Sequence, residues 1–351
     1  MEKTKVGILG ATGMVGQRFI ALLAEHPWFE ITEVAASEKS AGKSYAEAVK
    51  GRWKIETQIP EKVAGMEVKE CKAKGMGCEL VFGALDAEIA KPIEQEFAKA
   101  GMIVSSNTKT HRMEADVPLL IPEVNAEHLE VIERQRKNRG WRGAIITNPN
   151  CTLMGPTITA KALDDAFGVK KMMVFSMQAL SGAGYPGVPS LDIVDNVMPF
   201  IGGEEPKVES EPLKILGKLG ANGFENAKIT ISAHCNRVGV TNGHTTPISV
   251  ELAEKPSIDE VKKAFREFRG EPQKLKLPTA PQPVIVVREE DDRPQPRMDR
   301  DAGKGMAITV GRVRACRVLG YKFTAVSHNT VRGAAGAAIL NAELMKAKGY
   351  L

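Results

Sequence analysis

Short apolar runs alternate with segments of helical periodicity along the first half of the chain. The apolar runs, each predicted to be a strand buried on both faces, lie at residues 5–9, 31–36, 80–83, 102–105 and 144–147. Helices are predicted between them at residues 17–25, 87–100 and 126–136. Strands that alternate with helices favour a parallel sheet with helices on both faces. The first half therefore predicts an α/β domain of the Rossmann type.

The pattern changes after residue 151. A helix is predicted at 152–166, and strand-like runs then follow with few helices between them, at residues 171–178, 228–233, 245–252, 307–312 and 318–326. Further helices are predicted at 257–269, with Ser257 as N-cap, and at 329–348. The proline- and charge-rich stretch 270–305 is expected to be an ordered excursion that covers a partner. This order predicts an α+β domain with a mostly antiparallel sheet.

Composition restricts the class of protein. A length of 351 residues suggests two domains, and we place their boundary near residue 150. The net charge of +5 is diffuse, without a Lys/Arg cluster interleaved with aromatics, which excludes a nucleic-acid partner and leaves anionic small molecules. Five cysteines without a CxxC motif predict a reducing, cytoplasmic location, and they suggest no metal site. No apolar run reaches membrane-spanning length, and because the N-terminus enters a strand almost at once, we expect no signal peptide.

A glycine-rich turn, GATGMVG at residues 10–16, joins the first strand to the first helix. Glycines at such a turn let the backbone approach a pyrophosphate, which the N-terminus of the following helix stabilises. The spacing is GxxGxxG, so a ligand-free glycine turn of an α/β fold is the alternative. We interpret the turn as a dinucleotide site.

The end of the second strand indicates which dinucleotide binds. An acidic residue at this position usually bonds the ribose hydroxyls of NAD, whereas this strand ends at Ser37. Ser40 and Lys43 follow within the next turn and suit a 2′-phosphate, although Glu38 opposes it. NADP is therefore the predicted cofactor, and a solvated polar loop is the alternative.

A cysteine lies where the last apolar strand of the first half passes into a helix, in the sequence NPNCT at residues 148–152. The N–H groups at a helix start favour the thiolate, which is the reactive form of cysteine. Asn150 adds an amide that can donate to a developing oxyanion. Cys151 is therefore a candidate nucleophile, with a small buried core residue as the alternative.

Further polar residues can complete a cysteine site. Arg237 and His244 flank a glycine-containing turn, where an arginine can bind a carboxylate and a histidine can transfer protons. Glu211 and Lys214 pair opposite charges on a predicted helix, and Arg112 follows a strand on a loop that can meet an anion. For each of these residues an ordinary structural or solvated role remains the alternative.

Five stretches together resemble aspartate-semialdehyde dehydrogenase of the archaeal and fungal branch. They lie in the same order over nearly the whole chain, at residues 10–16, 148–152, 181–184, 237–244 and 329–335. The resemblance implies NADPH-dependent reductive dephosphorylation of L-aspartyl-4-phosphate to L-aspartate 4-semialdehyde. That reaction serves the biosynthesis of lysine, threonine and methionine.

The resemblance also implies a role for individual residues. Cys151 would be the nucleophile that forms an acyl thioester, His244 the acid/base and Gln178 the residue that orients the substrate. The implied substrate-binding residues are Arg237, for the α-carboxylate, and Glu211, Lys214, Arg112 and Asn150. The candidate cofactor-binding residues are Gly10, Thr12, Gly13, Met14, Val15, Ser37, Ser40, Ser181, Gly182 and Asn329.

The resemblance bears on domain organisation as well. Because Asn329 matches a nicotinamide-side contact, the C-terminal helix at residues 329–351 is expected to complete the cofactor domain. Residues 151–328 would then form the catalytic and oligomerisation domain. Its predicted sheet exposes edges and an apolar face, so we expect a homodimer or a homotetramer.

Two other functions remain open from the sequence. A malonyl-CoA or related acyl-CoA reductase uses the same thioester chemistry without phosphate. A non-catalytic regulator that senses NADP would need the dinucleotide site alone. The joint presence of Cys151, Gln178, Arg237 and His244 argues against the regulator.

Overall fold

The computed structural model describes residues 2–351, which form two compact units. One unit takes the chain up to Leu120, then Glu127–Asn148 and Ala334–Leu351. The other takes Ile121–Ala126 and Pro149–Gly333. The chain thus passes into the second unit just before Cys151 and returns to the first for its last helix.

A six-stranded sheet forms the centre of the first unit. Its strands are β1 (Thr4–Leu9), β2 (Phe29–Ala36), β3 (Val68–Glu70), β4 (Leu80–Gly83), β5 (Ile103–Ser106) and β6 (Ala144–Thr147). Their order is β3-β2-β1-β4-β5-β6, and every pair of neighbours is parallel. This is the doubly wound order of dinucleotide-binding domains, and it confirms the predicted Rossmann-type fold.

Helices of the first unit cover this sheet. They are α1 (Met14–Leu23), α2 (Tyr45–Ala48), α3 (Glu61–Ala64), α4 (Ala87–Lys99), α6 (Val131–Arg139) and α13 (Gly336–Ala347). Helix α1 begins at Met14, whereas the sequence predicted residue 17, because Gly10 turns the chain at a left-handed φ of 77°. The last helix, α13, is buried from Gly336 to Met345, since its small residues permit close packing. His26 Nε2 lies 2.8 Å from Glu343 Oε1 and fixes this helix within the unit.

The second unit is built on a mixed sheet. Its strands are β7 (Val169–Gln178), β10 (Thr230–Arg237), β11 (His244–Leu252), β12 (Ile285–Val287), β13 (Ile308–Cys316) and β14 (Gly320–Ser327), in the order β10-β7-β11-β14-β13-β12. A separate hairpin pairs β8 (Lys218–Gly220) with β9 (Gly223–Glu225). The prediction of a mostly antiparallel sheet is wrong, because β10 runs parallel to β7 and β12 runs parallel to β13. A long crossover that contains a helix joins β7 to β10, and such a connection permits parallel pairing.

The helices of the second unit are α5 (Pro122–Asn125), α7 (Met154–Phe167), α8 (Ser190–Ile193), α9 (Glu204–Ile215), α10 (Ile258–Glu267), α11 (Glu271–Lys274) and α12 (Pro296–Asp299). Ser257 caps α10 as predicted, and its hydroxyl accepts from the Glu260 N–H at 3.2 Å. Within residues 270–305, β12 adds an edge strand to the unit's own sheet, so this part of the excursion is internal structure. None of the helices described in residues 2–351 is long and apolar enough to cross a membrane.

Candidate active site

A cysteine and a histidine form the centre of the site in the second unit. Cys151 begins a short 3-10 helix, Cys151–Leu153, which leads into α7. His244 is the first residue of β11 and is fully buried. The Cys151 Sγ lies 3.2 Å from His244 Nε2, within hydrogen-bonding distance for sulfur. The sequence predicted this pairing of residues, and the structure brings them together.

The surroundings of His244 fix which ring nitrogen carries the proton. The Ala179 N–H donates to His244 Nδ1 at 3.0 Å, so Nδ1 is an acceptor without a proton. Burial, helped by the nearby Arg237 cation, lowers the pKa of His244 to about 3, and the ring is neutral at ordinary pH. A neutral ring of this kind carries its proton on Nε2. His244 therefore presents an N–H donor to the sulfur of Cys151.

Arg237 lies at the end of β10, opposite Gln178 in the parallel pair with β7. Its Nη1 donates to the Ala179 carbonyl at 2.8 Å, so Arg237 and His244 both bind the backbone of one residue. Burial lowers the pKa of Arg237, although an arginine remains a cation in proteins. Gly182 permits this packing, because a Cβ there would lie 2.9 Å from Arg237 Nη1 and 3.2 Å from His244 Cε1. The Gln178 amide donates to the Ser176 hydroxyl at 3.2 Å.

Helix α9 directs two carboxylates at Asn150. The backbone N–H of Asn150 donates to Glu211 Oε2 at 2.8 Å, and its side-chain Nδ2 donates to Glu204 Oε1 at 2.7 Å. Burial alone would raise the pKa of Glu204, but interactions with Lys207 and Asn150 outweigh it and lower the pKa. The sequence predicted Glu211 as a functional residue and missed Glu204. The available signal was its spacing of seven residues, two helical turns before Glu211 on the same face.

The other predicted substrate residues lie in different surroundings. Lys214 is buried, and its ammonium nitrogen lies 4.4 Å from the centroid of the Phe224 ring. Arg112 belongs to the first unit, on the loop after β5, where its Nη2 donates to the Asn107 carbonyl at 2.9 Å. Lys214 thus shares a unit with Cys151, and Arg112 does not.

Asn329 ties two loops together beside His244. Its Nδ2 donates to the Ser181 hydroxyl at 2.8 Å, and its Oδ1 accepts from the Gly243 N–H at 2.8 Å. Ser181 and Gly182 belong to a short 3-10 helix, Leu180–Ala183, that follows β7. These three predicted cofactor residues therefore lie together in the second unit.

The remaining predicted cofactor residues lie in the first unit. A Cβ at Gly10 would lie 2.3 Å from the Ala84 carbonyl oxygen, and one at Gly16 would lie 2.3 Å from the Gly10 oxygen, so both positions require glycine. Gly13 caps α1, whose start has neither a capping side chain nor an acid in its first turn. Such an N-terminus suits a pyrophosphate. Three of the predicted cofactor-binding residues lie at this turn and are only partly buried: Thr12, Met14 and Val15.

The loop after β2 is compatible with a 2′-phosphate. Ser37 is exposed directly after the strand, and Ser40 is buried one turn later, where its N–H donates to the Ser37 carbonyl at 2.8 Å. With the glycine turn, this loop supplies hydroxyl and backbone donors without an acid at the strand end. The donor set of the first unit thus fits NADP.

Gly333, which was not predicted as a site residue, packs against Cys151. Gly333 lies in a π-helix, Val331–Ala335, and a Cβ there would lie 2.7 Å from the Cβ of Cys151. The preceding Arg332 is fully buried, and its guanidinium donates to both carboxylate oxygens of Glu123, at 2.9 and 2.6 Å. Across residues 2–351, no group of His, Cys, Asp and Glu side chains is arranged to hold a metal ion.

Most of the parallel sheet of the first unit and the whole mixed sheet of the second fall within regions that match semialdehyde dehydrogenase families. The family described as semialdehyde dehydrogenase, NAD binding domain, matches residues 5–132. The family described as semialdehyde dehydrogenase, dimerisation domain, matches residues 160–332.

Individual relatives show which kind of semialdehyde dehydrogenase the chain resembles. The aspartate-semialdehyde dehydrogenase of Archaeoglobus fulgidus is 55% identical over 97% of both chains, and that of Aspergillus fumigatus is 49% identical over 99% of both. A crystal structure of aspartate semialdehyde dehydrogenase with NADP from Candida albicans superposes with a TM-score of 0.92 and 43% identity, covering all of both chains. The chain belongs to the aspartate-semialdehyde dehydrogenase family, which confirms the resemblance to its archaeal and fungal members.

Proposed function

We propose that this chain catalyses the NADPH-dependent reductive dephosphorylation of L-aspartyl-4-phosphate to L-aspartate 4-semialdehyde. The observation that carries the proposal is the Cys151 Sγ placed 3.2 Å from the Nε2 of a buried, neutral His244. A thiol nucleophile and an adjacent proton carrier are what acyl transfer to an enzyme requires. The substrate is inferred from the relatives, which are aspartate-semialdehyde dehydrogenases.

In the first half of the reaction, the Cys151 thiolate attacks the acyl carbonyl carbon. A C–S bond forms, the C–O bond to phosphate breaks, and inorganic phosphate leaves with the electron pair. The guanidinium of Arg237 binds the substrate α-carboxylate and Gln178 orients the acyl group over the sulfur. Asn150 lies next to Cys151, where its amide can face the developing oxyanion. We assign the substrate amino group to Glu211 and the phosphate to Lys214.

In the second half, the thioester is reduced and released. The glycine turn, Ser37 and Ser40 of the first unit would hold NADPH, which would supply the hydride. His244 donates a hydrogen bond from its Nε2–H to the oxygen of the hemithioacetal anion and stabilises that anion until it collapses. The C–S bond then breaks, the aldehyde leaves, and the Cys151 thiolate is restored. The split into two steps replaces one difficult reduction with two accessible ones.

Selective alkylation tests the role of Cys151 directly. Burial raises the pKa of Cys71 and Cys235, and it raises that of Cys78 to about 12, which leaves these three thiols protonated. For Cys316, burial is outweighed by the backbone N–H groups of residues 318 and 319, which lower the pKa and make this cysteine the internal control.

Iodoacetamide is expected to label Cys151 first, as read by peptide mass spectrometry. Bound aspartate semialdehyde should slow the labelling of Cys151 and leave that of Cys316 unchanged. Labelling of Cys316 ahead of Cys151, or equal protection of both, would contradict the assignment.

Cofactor preference gives a further prediction. We expect NADP to be favoured over NAD by roughly 1 to 3 kcal/mol, because two charge-assisted hydrogen bonds to a 2′-phosphate are at stake. Ser37→Asp should reduce this preference by penalising NADP, since a carboxylate repels the phosphate. The measurement is kcat/KM with each cofactor, and Glu38→Gln should change the preference in the opposite direction, because it removes a negative charge beside the phosphate. Equal kcat/KM values for NADP and NAD in the unmodified chain would refute this interpretation of the loop.

We infer that the second unit forms a homodimer or a homotetramer. Residues 185–200, called here the 185–200 segment, form an apolar stretch. Several of its large apolar side chains are exposed to solvent in the single chain. The exposed fractions are 91% for Leu191, 71% for Phe200, 67% for Val194, 58% for Tyr185 and 57% for Val197. Large exposed apolar patches typically mark interfaces, and the matching family is described as a dimerisation domain.

Light scattering tests this assembly. Phe200→Asp is expected to weaken association, so that the mass falls towards that of one chain as the protein is diluted. Val318→Asp is the matched control, because Val318 is 78% exposed on the turn between β13 and β14, outside the 185–200 segment. A monomeric mass for the unmodified chain at micromolar concentration would refute the proposal.

A further inference from the structure

Glu204 is a buried acid in direct contact with both sequence neighbours of the nucleophile. Its Oε1 accepts from Asn150 Nδ2 at 2.7 Å and from the Thr152 hydroxyl at 3.3 Å. Its Oε2 accepts from Lys207 Nζ at 2.9 Å. Only 6% of Glu204 is exposed, and an acid so buried requires partners of this kind to remain in the core.

The start of α9 sets the place of this carboxylate. Glu204 is the first residue of the helix, after Gly203 in a left-handed conformation with a φ of 66°. No side chain caps this helix start, and a negative charge there is stabilised by the helix dipole. The position of Glu204 is therefore set by the backbone and by Lys207.

The hydrogen bond between Glu204 and Asn150 connects the carboxylate to the turn that contains Cys151. The Asn150 Oδ1 accepts from the Thr152 N–H at 2.9 Å, which starts the 3-10 helix that contains Cys151. Because Oδ1 is held by Thr152 and Nδ2 by Glu204, the Asn150 amide has one orientation. Without the carboxylate, the amide can rotate and the turn around Cys151 loses a restraint on each side.

We propose that Glu204 is a positioning residue for Cys151, and that it acts through the Asn150 side chain and the Thr152 hydroxyl. The inference deepens the proposed function, since it rests on Cys151 being the nucleophile. Covalent attack depends on the alignment of the sulfur with the acyl carbon, and a small misplacement lowers the rate steeply. Glu204 need not touch the substrate to have this effect.

Three variants and a double-mutant cycle test the proposal. Glu204→Ala is expected to lower kcat by about 10- to 100-fold, with little change in the KM for the semialdehyde or in NADP binding. Glu204→Gln should fall between this variant and the unmodified enzyme, because its amide oxygen still accepts from Asn150. Glu209→Gln is the matched control on the same helix, where Glu209 accepts from the Ala233 N–H, and it should keep full kcat.

The cycle with Asn150→Ala decides between action through Asn150 and a general structural role. If Glu204 acts through Asn150, the double variant loses less kcat than the product of the two single losses. Multiplied losses, or an unchanged kcat in Glu204→Ala, would overturn the inference. If Glu204→Ala does not fold, as judged by NADP binding, the same cycle with Glu204→Gln decides. Failure of the proposed function is distinguishable, because the unmodified enzyme would then lack phosphate-dependent activity.

Discussion

Replacing Cys151 with alanine is expected to abolish phosphate-dependent turnover, with a loss of about 10⁴-fold or more. The reason is that the variant has no sulfur to form the thioester, and no other group lies in its place to accept the acyl chain. NADP binding should remain nearly intact, because the glycine turn belongs to the other unit. The measurement is kcat for NADP reduction together with the dissociation constant of NADP.

The matched control for this variant is Cys235→Ala, which removes a buried thiol of the same unit. It should leave most of the activity, apart from a modest loss of stability. Substantial phosphate-dependent activity in Cys151→Ala would show that the covalent mechanism is wrong.

Substitution at His244 is expected to have the second largest effect. His244→Asn should lower kcat by about 10²- to 10⁴-fold, because it removes the Nε2–H next to sulfur while leaving the carboxylate site in place. Arg237→Lys should instead raise KM, because a lysine cannot bind a carboxylate in the planar, two-pronged manner of an arginine. A large kcat loss from the arginine variant, with none from the histidine variant, would reverse the two roles.

The pH dependence gives an independent check on His244. Burial depresses its pKa from 6.5 to about 3, so the folded protein keeps the ring neutral throughout the neutral and mildly acid range. The profile of kcat/KM against pH should therefore show no inflection near 6.5 that His244→Asn removes. An inflection there that disappears in the variant would contradict the lowered pKa of His244.

The sequence predicted the first unit well because its signals are local. Continuous apolar strands and the glycine turn are contained within a few residues, and each has one structural solution. The direction of β10, by contrast, is not determined by its local sequence. Its partner β7 lies more than 50 residues earlier. The segment between them contains α9 and a hairpin, and its sequence does not show whether β10 runs parallel or antiparallel to β7.

The candidate site likewise combines residues that local motifs identify with contacts that only the folded structure shows. Cys151, Gln178, Arg237 and His244 were identified from motifs, and the structure places all four in the second unit. Two features depend on tertiary contacts alone and were not predicted. A backbone N–H, that of Ala179, selects the proton-bearing nitrogen of His244, and no side-chain pattern encodes it.

The carboxylate of Glu204 was also missed, although its residue lies on a helix with a recognised acid. The sequence does not show that the first residue of α9 meets Asn150, because that contact joins residues 54 positions apart. Acids at a helix start are common on protein surfaces, so their presence alone does not indicate a site.

A substrate assay distinguishes phosphate-dependent reduction of an aspartyl group from acyl-CoA reduction. The initial rate of NADP reduction is measured with L-aspartate 4-semialdehyde, with and without inorganic phosphate, beside NADPH oxidation with malonyl-CoA. Rapid reduction of NADP that requires phosphate is expected, and NADPH should not be oxidised with malonyl-CoA. Phosphate-independent reduction, or efficient turnover of malonyl-CoA, would contradict the proposed function.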